Sequence, residues 1–303
     1  MTLDAELRLD SRCQLGEGIS WIVDQGNPDG GAFFFVDIHA HEVHSVSLNG
    51  SGHRIWNLPE RIGWLIPLAS GDGYLAGMQS GFARLWLGSG IRFEWLNRIF
   101  KDRPELRLND AKADCLGNVW AGSMNNDDES QSDGELFKLA PNGELTICDV
   151  GYCVPNGPAI SHDLNLFLHT DSARRTIYSF EYDENSGLLS GKRVWHVFSE
   201  DEGFPDGMNF DVDGNVWVAH WGAGLVSCFS ANGSLLHRLK LPVSNITNLS
   251  FGGLNLDRLF VATARSGLSA KQSVDEPLAG AIFEICGHGT KGFKPYAFGM
   301  HGT

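Results

Sequence analysis

The 303-residue chain contains no apolar run that approaches membrane-spanning length, and its acidic start around Asp4 and Glu6 has no signal-like apolar core. A cytoplasmic protein is expected. Basic residues are scarce, with 23 Lys and Arg against 37 Asp and Glu, for a net charge of −14. Such a balance repels phosphate backbones and anionic bilayers, so neither nucleic acid nor a membrane is an expected partner, and it favours cations instead. The six cysteines (13, 115, 148, 153, 228 and 286) are dispersed without a C-x-x-C pair, which removes a zinc knuckle or a disulfide framework and leaves reduced structural thiols. There is no G-x-S-x-G elbow to mark a serine nucleophile. No helical period is long enough for a helical layer, and no Pro/Ser-rich linker interrupts the chain.

Thirty-seven glycines and 18 phenylalanines are present, as many tight turns and face-packed strands require. They are organised by a repeat. Asn109 and Asp206 each open a unit that continues as D-x-x-G-N-V-W from Asp114 and from Asp211, with Trp120 and Trp217 each eleven residues after the opener. Extending the unit finds apolar strands led by Phe33, Tyr74, Trp120, Phe167, Trp217 and Phe260, at steps of 41, 46, 47, 50 and 43 residues. A second alternating strand follows each. Units of 40 to 50 residues built from short strands and Gly/Asn/Asp turns predict an all-β fold, a six-bladed β-propeller with four antiparallel strands per blade. Residues 1–303 read as a single domain, with the segment around Leu7–Leu9 completing the last blade and closing the array.

The register of the repeat also marks a candidate site. Glu17, Asn109, Asn156, Asp206 and Thr247 each stand four residues before an apolar position, and Gly63 takes that place in the second blade. Equivalent positions of successive blades converge at one mouth of a propeller channel. Two carboxylates and two amides without thiolate or imidazole form a hard-oxygen set suited to Ca²⁺, Mg²⁺ or Mn²⁺, with room for a divalent transition metal. Asn-Gly, Asp-Gly and Asn-Asp also serve as ordinary turn dipeptides. Their recurrence in one register favours a site.

The same residues carry a family resemblance. L-G-E-G-x-x-W at 15–21, R-x-N-D at 107–110, W-A-G-S-M at 120–124, N-G at 156–157, P-D-G at 205–207 and W-V-A-H-W-G at 217–222 resemble the SMP-30/gluconolactonase/regucalcin family nearly end to end. The resemblance implies a six-bladed propeller, one divalent metal ion (Ca²⁺, Zn²⁺, Mn²⁺, Mg²⁺ or Fe²⁺) and hydrolysis of a small sugar lactone to the aldonic acid. By motif position it implies Glu17, Asn156 and Asp206 as metal ligands and Arg107 and Asn109 as substrate contacts. Symmetry alone would let Asn109 reach the metal; the family pattern places it on the substrate, and that assignment is followed. Asp127, in the acidic run 125–129, stands where relatives carry a substrate-facing acid, although the same run also reads as a solvent loop. Departures are Ile19, Ala111 and Ala223, and none removes a ligand.

On this reading Asp206 doubles as general base toward water, and Arg107 and Asn109 hold the sugar oxygens. His220 is a second acid–base candidate or else an outward strand residue. The run His39–His44 reads as a solvated strand end, because a strand would send His44 to the face opposite His39 and His41. A monomer or weak homo-oligomer is expected. Two other functions fit the same fold: a non-enzymatic Ca²⁺-binding regulatory propeller, and a metal-dependent esterase or phosphotriesterase, whose pocket would be lined by apolar groups.

Overall fold

A computed structural model describes residues 3–24, 29–163 and 165–299. The repeat becomes six four-stranded antiparallel sheets, five of them meanders of consecutive strands and one in which an early strand pairs with a late one. The protein is a six-bladed β-propeller. Its first blade is Gly16–Val23, Gly31–Asp37, Glu42–Val46 and Arg54–Asn57. The second is Ile62–Pro67, Tyr74–Met78, Gly81–Leu87 and Ile91–Asn97. The third is Leu106–Ala113, Val119–Asn125, Gly134–Leu139 and Leu145–Tyr152. The fourth is Pro155–Ile160, Leu166–Asp171, Thr176–Asp183 and Leu188–Val197. The fifth is Phe204–Phe210, Val216–Trp221, Leu225–Phe229 and Leu235–Lys240. The sixth is Ile246–Gly252, Arg258–Thr263 and Ile282–Cys286, completed by Asp4–Leu9 from the start of the chain. Among the described residues the only α-helix is Ala270–Asp275, capped by Ser269, and no helix is long and apolar enough to cross a membrane.

Two compact units result. One joins the described residues up to Asn57 with Phe198–Lys294 and holds the fifth, sixth and first blades; the other joins Leu58–Val197 with the described residues from Pro295 and holds the second, third and fourth. In each unit the core lies between the faces of neighbouring blades. Trp217, Phe251 and Phe283 pack with Val226 and Leu249 in the first unit, and Trp120 packs with Phe167, Phe180 and Tyr152 in the second. All six cysteines are thiols.

The D-x-x-G-N-V-W turn has a clear physical basis. Asp114 Oδ1 accepts the backbone N–H groups of Leu116 and Asn118, while Oδ2 accepts Asn118 Nδ2 and the indole N–H of Trp120. Asp211 repeats this with Asp213, Asn215 and Trp217. One carboxylate thus closes the turn and also satisfies the polar atom of the tryptophan that the core buries.

A second recurrent feature positions the candidate site. The opening strand of every blade breaks register once against its partner: after Glu17, Ile62, Leu108, Asn156, Pro205 and Ile246. Each break is a local bulge, which turns side chains out of the alternation of the strand.

Candidate functional site

The residues marked by the four-residue offset sit at these bulges. Glu17 and Asn156 are the last paired residues before the break, while Asn109, Asp206, Thr247 and Gly63 lie within it. Two of the breaks use glycine in the left-handed region, Gly18 at φ 55° and Gly157 at φ 77°, where a side chain would be strained.

In the unit of the second to fourth blades, Arg107, Asn109 and Asn156 form one buried hydrogen-bonded row. Arg107 is 4% exposed; its Nη1 donates to Asn109 Oδ1 at 2.5 Å and to the Leu108 carbonyl at 3.3 Å. Asn109 Nδ2 in turn donates to Asn156 Oδ1 at 2.8 Å and to the Pro155 carbonyl at 2.7 Å. Asn156 Nδ2 donates to Ser172 Oγ at 2.9 Å. The row fixes every amide orientation, and the Asn156 oxygen, which accepts one hydrogen bond from Asn109, keeps a second lone pair for a cation.

In the unit of the fifth, sixth and first blades the two acidic candidates are buried, Glu17 at 7% and Asp206 at 5% exposure. Glu17 Oε2 accepts from the Gly18 N–H at 3.0 Å and from Asn248 Nδ2 at 3.2 Å. Asn248 also lies against Gly207, the residue after Asp206: a Cβ there would come within 2.6 Å of the Asn248 side chain. Asn248 therefore bridges the surroundings of both carboxylates. Carboxylates and an amide oxygen suit a hard divalent cation, and burying a carboxylate is costly without a compensating positive partner. Among the described residues no three His, Cys, Asp or Glu side chains group around a metal position. A ligand set with an amide as its third member is of a different kind.

Matching of the sequence to known families finds the SMP-30/gluconolactonase/LRE-like model over residues 15–265. The chain belongs to this family. The pentonolactonase XacC of Haloferax volcanii is 32% identical over 283 residues, covering 91% of this chain and 92% of that one. The regucalcin of Pongo abelii is 30% identical over 304 residues, covering 98% and 99%. Among solved structures, a luciferin-regenerating enzyme superposes with a TM-score of 0.89 at 27% identity, over 99% of this chain and 100% of that one.

Several placements differ from the expectation for this family member. Asp127 is exposed, and its N–H is tied to Asn125 Oδ1 at 3.0 Å. The loop residue that reaches Arg107 is its neighbour Asn126, whose Oδ1 accepts Arg107 Nε at 2.9 Å. His220 is not outward. It is fully buried, donates Nδ1–H to the Glu202 carbonyl at 2.9 Å and meets Phe198 edge to face. His39 and His41 lie in a turn, but His44 is no solvated strand end: it is 1% exposed, stacks on Phe35 and bonds His53 at 2.9 Å and Glu42 at 3.1 Å. Burial, then the adjacent His53, lowers the His44 pKa to about 4, so the ring stays neutral near pH 7. Asn126 and Asn248, which hydrogen-bond to the candidate residues Arg107 and Glu17, are two neighbours of the candidate site that sequence reasoning did not single out.

Proposed function

We propose that this protein is a metal-dependent lactonase that opens a sugar lactone to the free aldonic acid, with one divalent ion held by Glu17, Asn156 and Asp206. The observation that carries the reading is the hydrogen-bonded row Arg107–Asn109–Asn156, because it joins the candidate substrate contacts directly to a candidate ligand. Membership of a family that includes a pentonolactonase over nine-tenths of both chains supports the same reaction class.

When bound, the cation supplies Lewis-acid polarisation of the lactone carbonyl and stabilises the negative charge that develops on its oxygen. The protein's own residues supply the rest. The Asp206 carboxylate takes a proton from the attacking water as the new C–O bond forms, and returns it to the ring oxygen as the ring C–O bond breaks, so that oxygen leaves as the hydroxyl of the opened acid. Arg107, Asn109 and Asn126 orient the sugar oxygens, a polar set that suits a polyhydroxylated ring better than an apolar ester or phosphotriester. The Arg107 guanidinium is held between Asn126 on Nε and Asn109 on Nη1, so it meets substrate with its plane already fixed.

Metal-stripped and Mn²⁺-reconstituted protein, screened against aldonolactones with pH-stat titration of released acid, tests the reading. Acid release above the buffer blank that depends on Mn²⁺ is expected. Release no faster than the blank for every aldonolactone, with the protein fully loaded, refutes it.

A further inference from the structure

Building on that metal-site reading, we propose that Asn248 is a positioning residue that aims the Glu17 carboxylate at the metal, and that Asp110 does the corresponding work for Asn156. The two occupy equivalent places. Each directly follows the marked residue of its opening strand, Asp110 after Asn109 and Asn248 after Thr247. Each folds back on the chain in the same way, its Oδ1 accepting the N–H of the next residue at 2.8 Å, Ala111 in one case and Leu249 in the other.

That short loop holds the side chain in one orientation and presents its remaining head atom to the neighbouring blade. The atom presented differs as its target differs. Asn248 offers Nδ2, a donor, to Oε2 of Glu17 at 3.2 Å. Asp110 offers Oδ2, an acceptor, to the N–H of Gly157 at 3.0 Å, the peptide that follows Asn156. A carboxylate needs an N–H to steer it, whereas a peptide N–H needs an oxygen, so the amide stands in the sixth blade and the acid in the third.

Two donors, Gly18 N–H and Asn248 Nδ2, meet on Oε2 of Glu17 and so set the plane of the carboxylate and the direction of its other oxygen. Thr247 adds to this by donating Oγ to the carbonyl of Gly16 at 2.5 Å, which ties the same two strands together just before Glu17. Asn248 is 3% exposed and Asp110 7%, so these bonds are made away from water, where they hold geometry best. The glycine at 207 belongs to the same arrangement, since any Cβ would collide with the Asn248 amide.

Removing a partner that orients a metal ligand typically costs 10-fold to 100-fold in metal affinity. The test is calorimetric titration of Mn²⁺ into metal-stripped, full-length protein, together with melting of the metal-free form. Asn248→Leu keeps similar bulk without the donor, and its Mn²⁺ dissociation constant is expected to rise about 10-fold to 100-fold while the metal-free melting temperature changes by only a few degrees. Asp110→Asn, which loses one of two acceptor oxygens, is expected to weaken Mn²⁺ in the same direction. Should Asn248→Leu not fold, Asn248→Ser takes its place, its shorter hydroxyl predicting weakened binding as well.

Wild-type Mn²⁺ affinity in the folded Asn248 variant, while Glu17→Gln binds weakly, overturns this proposal alone. A lowered melting temperature with unchanged affinity overturns it too, and marks Asn248 as a packing residue. Wild-type protein that binds no Mn²⁺, or Glu17→Gln that binds as wild type, overturns the metal-site reading on which the proposal rests.

Discussion

Asp211 Oδ2 accepts the indole N–H of Trp217 at 2.9 Å, and the same carboxylate holds the turn that precedes the tryptophan. Asp211→Ala strands the indole N–H of Trp217, which is 1% exposed, and removes the acceptor of two half-exposed turn N–H groups. A loss of about 3 kcal/mol or more is expected, read as a drop of several degrees in melting temperature. Mn²⁺ affinity in the variant that remains folded should stay close to wild type, because no proposed ligand touches the turn.

The proposed ligands should behave differently. Asp206→Asn and Asn156→Ala are expected to leave the blades folded, shown by an unchanged β circular dichroism spectrum, and to weaken Mn²⁺ by at least 10-fold in calorimetric titration. Asp206→Ala should also abolish turnover. Wild-type affinity in both variants would show these to be turn residues only.

Substrate contacts separate from metal ligands by kinetics. Arg107→Ala and Asn126→Ala should lower kcat/KM by roughly 10-fold to 1,000-fold with Mn²⁺ still bound. Asp127→Ala should stay near wild type, since Asp127 is exposed and Asn126 makes the bond to Arg107. The reverse ranking of Asn126 and Asp127 would contradict the geometry described here.

His169 should contribute to acid sensitivity, alongside the buried His44. The His169 ring is fully buried against Tyr152, and neither ring nitrogen has a hydrogen-bond partner among the described residues. Burial, ahead of the opposing pull of Asp149 and the push of Lys192, lowers its pKa from 6.5 to about 3. The unfolded chain therefore takes up the proton first as the pH falls. The contribution of a neutral His169 is whole above about pH 6.5 and is lost progressively toward pH 3, on the order of 3 kcal/mol by pH 4. Denaturant melts at pH 7 and pH 4.5 should show His169→Phe losing less stability on acidification than wild type.

The fold was legible because its physics repeats. The Asp–Trp turn appears twice in full, at Asp114 and Asp211, and the strand period carries it to six blades. That Glu17, Asn109, Asn156 and Asp206 occupy one place in the repeat was legible for a related reason: the bulge recurs at that place in each opening strand, so a fixed offset lands on it. Asn248 lies one residue past that offset, and its bond to Glu17 depends on how two neighbouring blades register, which periodicity along one strand does not encode. Asn126 and Asp127 differ by one position in a loop, where a single residue decides which side chain turns back to Arg107. His44 was misread because strand alternation assigns a face but does not reveal that His53 and Phe35 cover it.

The sixth blade takes its fourth strand from the start of the chain, where Leu7 pairs with Phe283 and Leu9 with Ile282. During synthesis Asp4–Leu9 leaves the ribosome well before its partner Ile282–Cys286. The early strand must wait until its partner, on the far side of five other blades in sequence, has been made. Its composition suits the wait. Asp4, Glu6 and Arg8 alternate along it, and charged side chains on an unpaired strand discourage pairing with other nascent chains. When the partner arrives, Arg8 meets Glu284 at 2.5 Å, and Glu284 is already held by Arg258 on the adjacent strand. Completion of this blade is thus a late event, reserved for a chain that has been translated through Cys286.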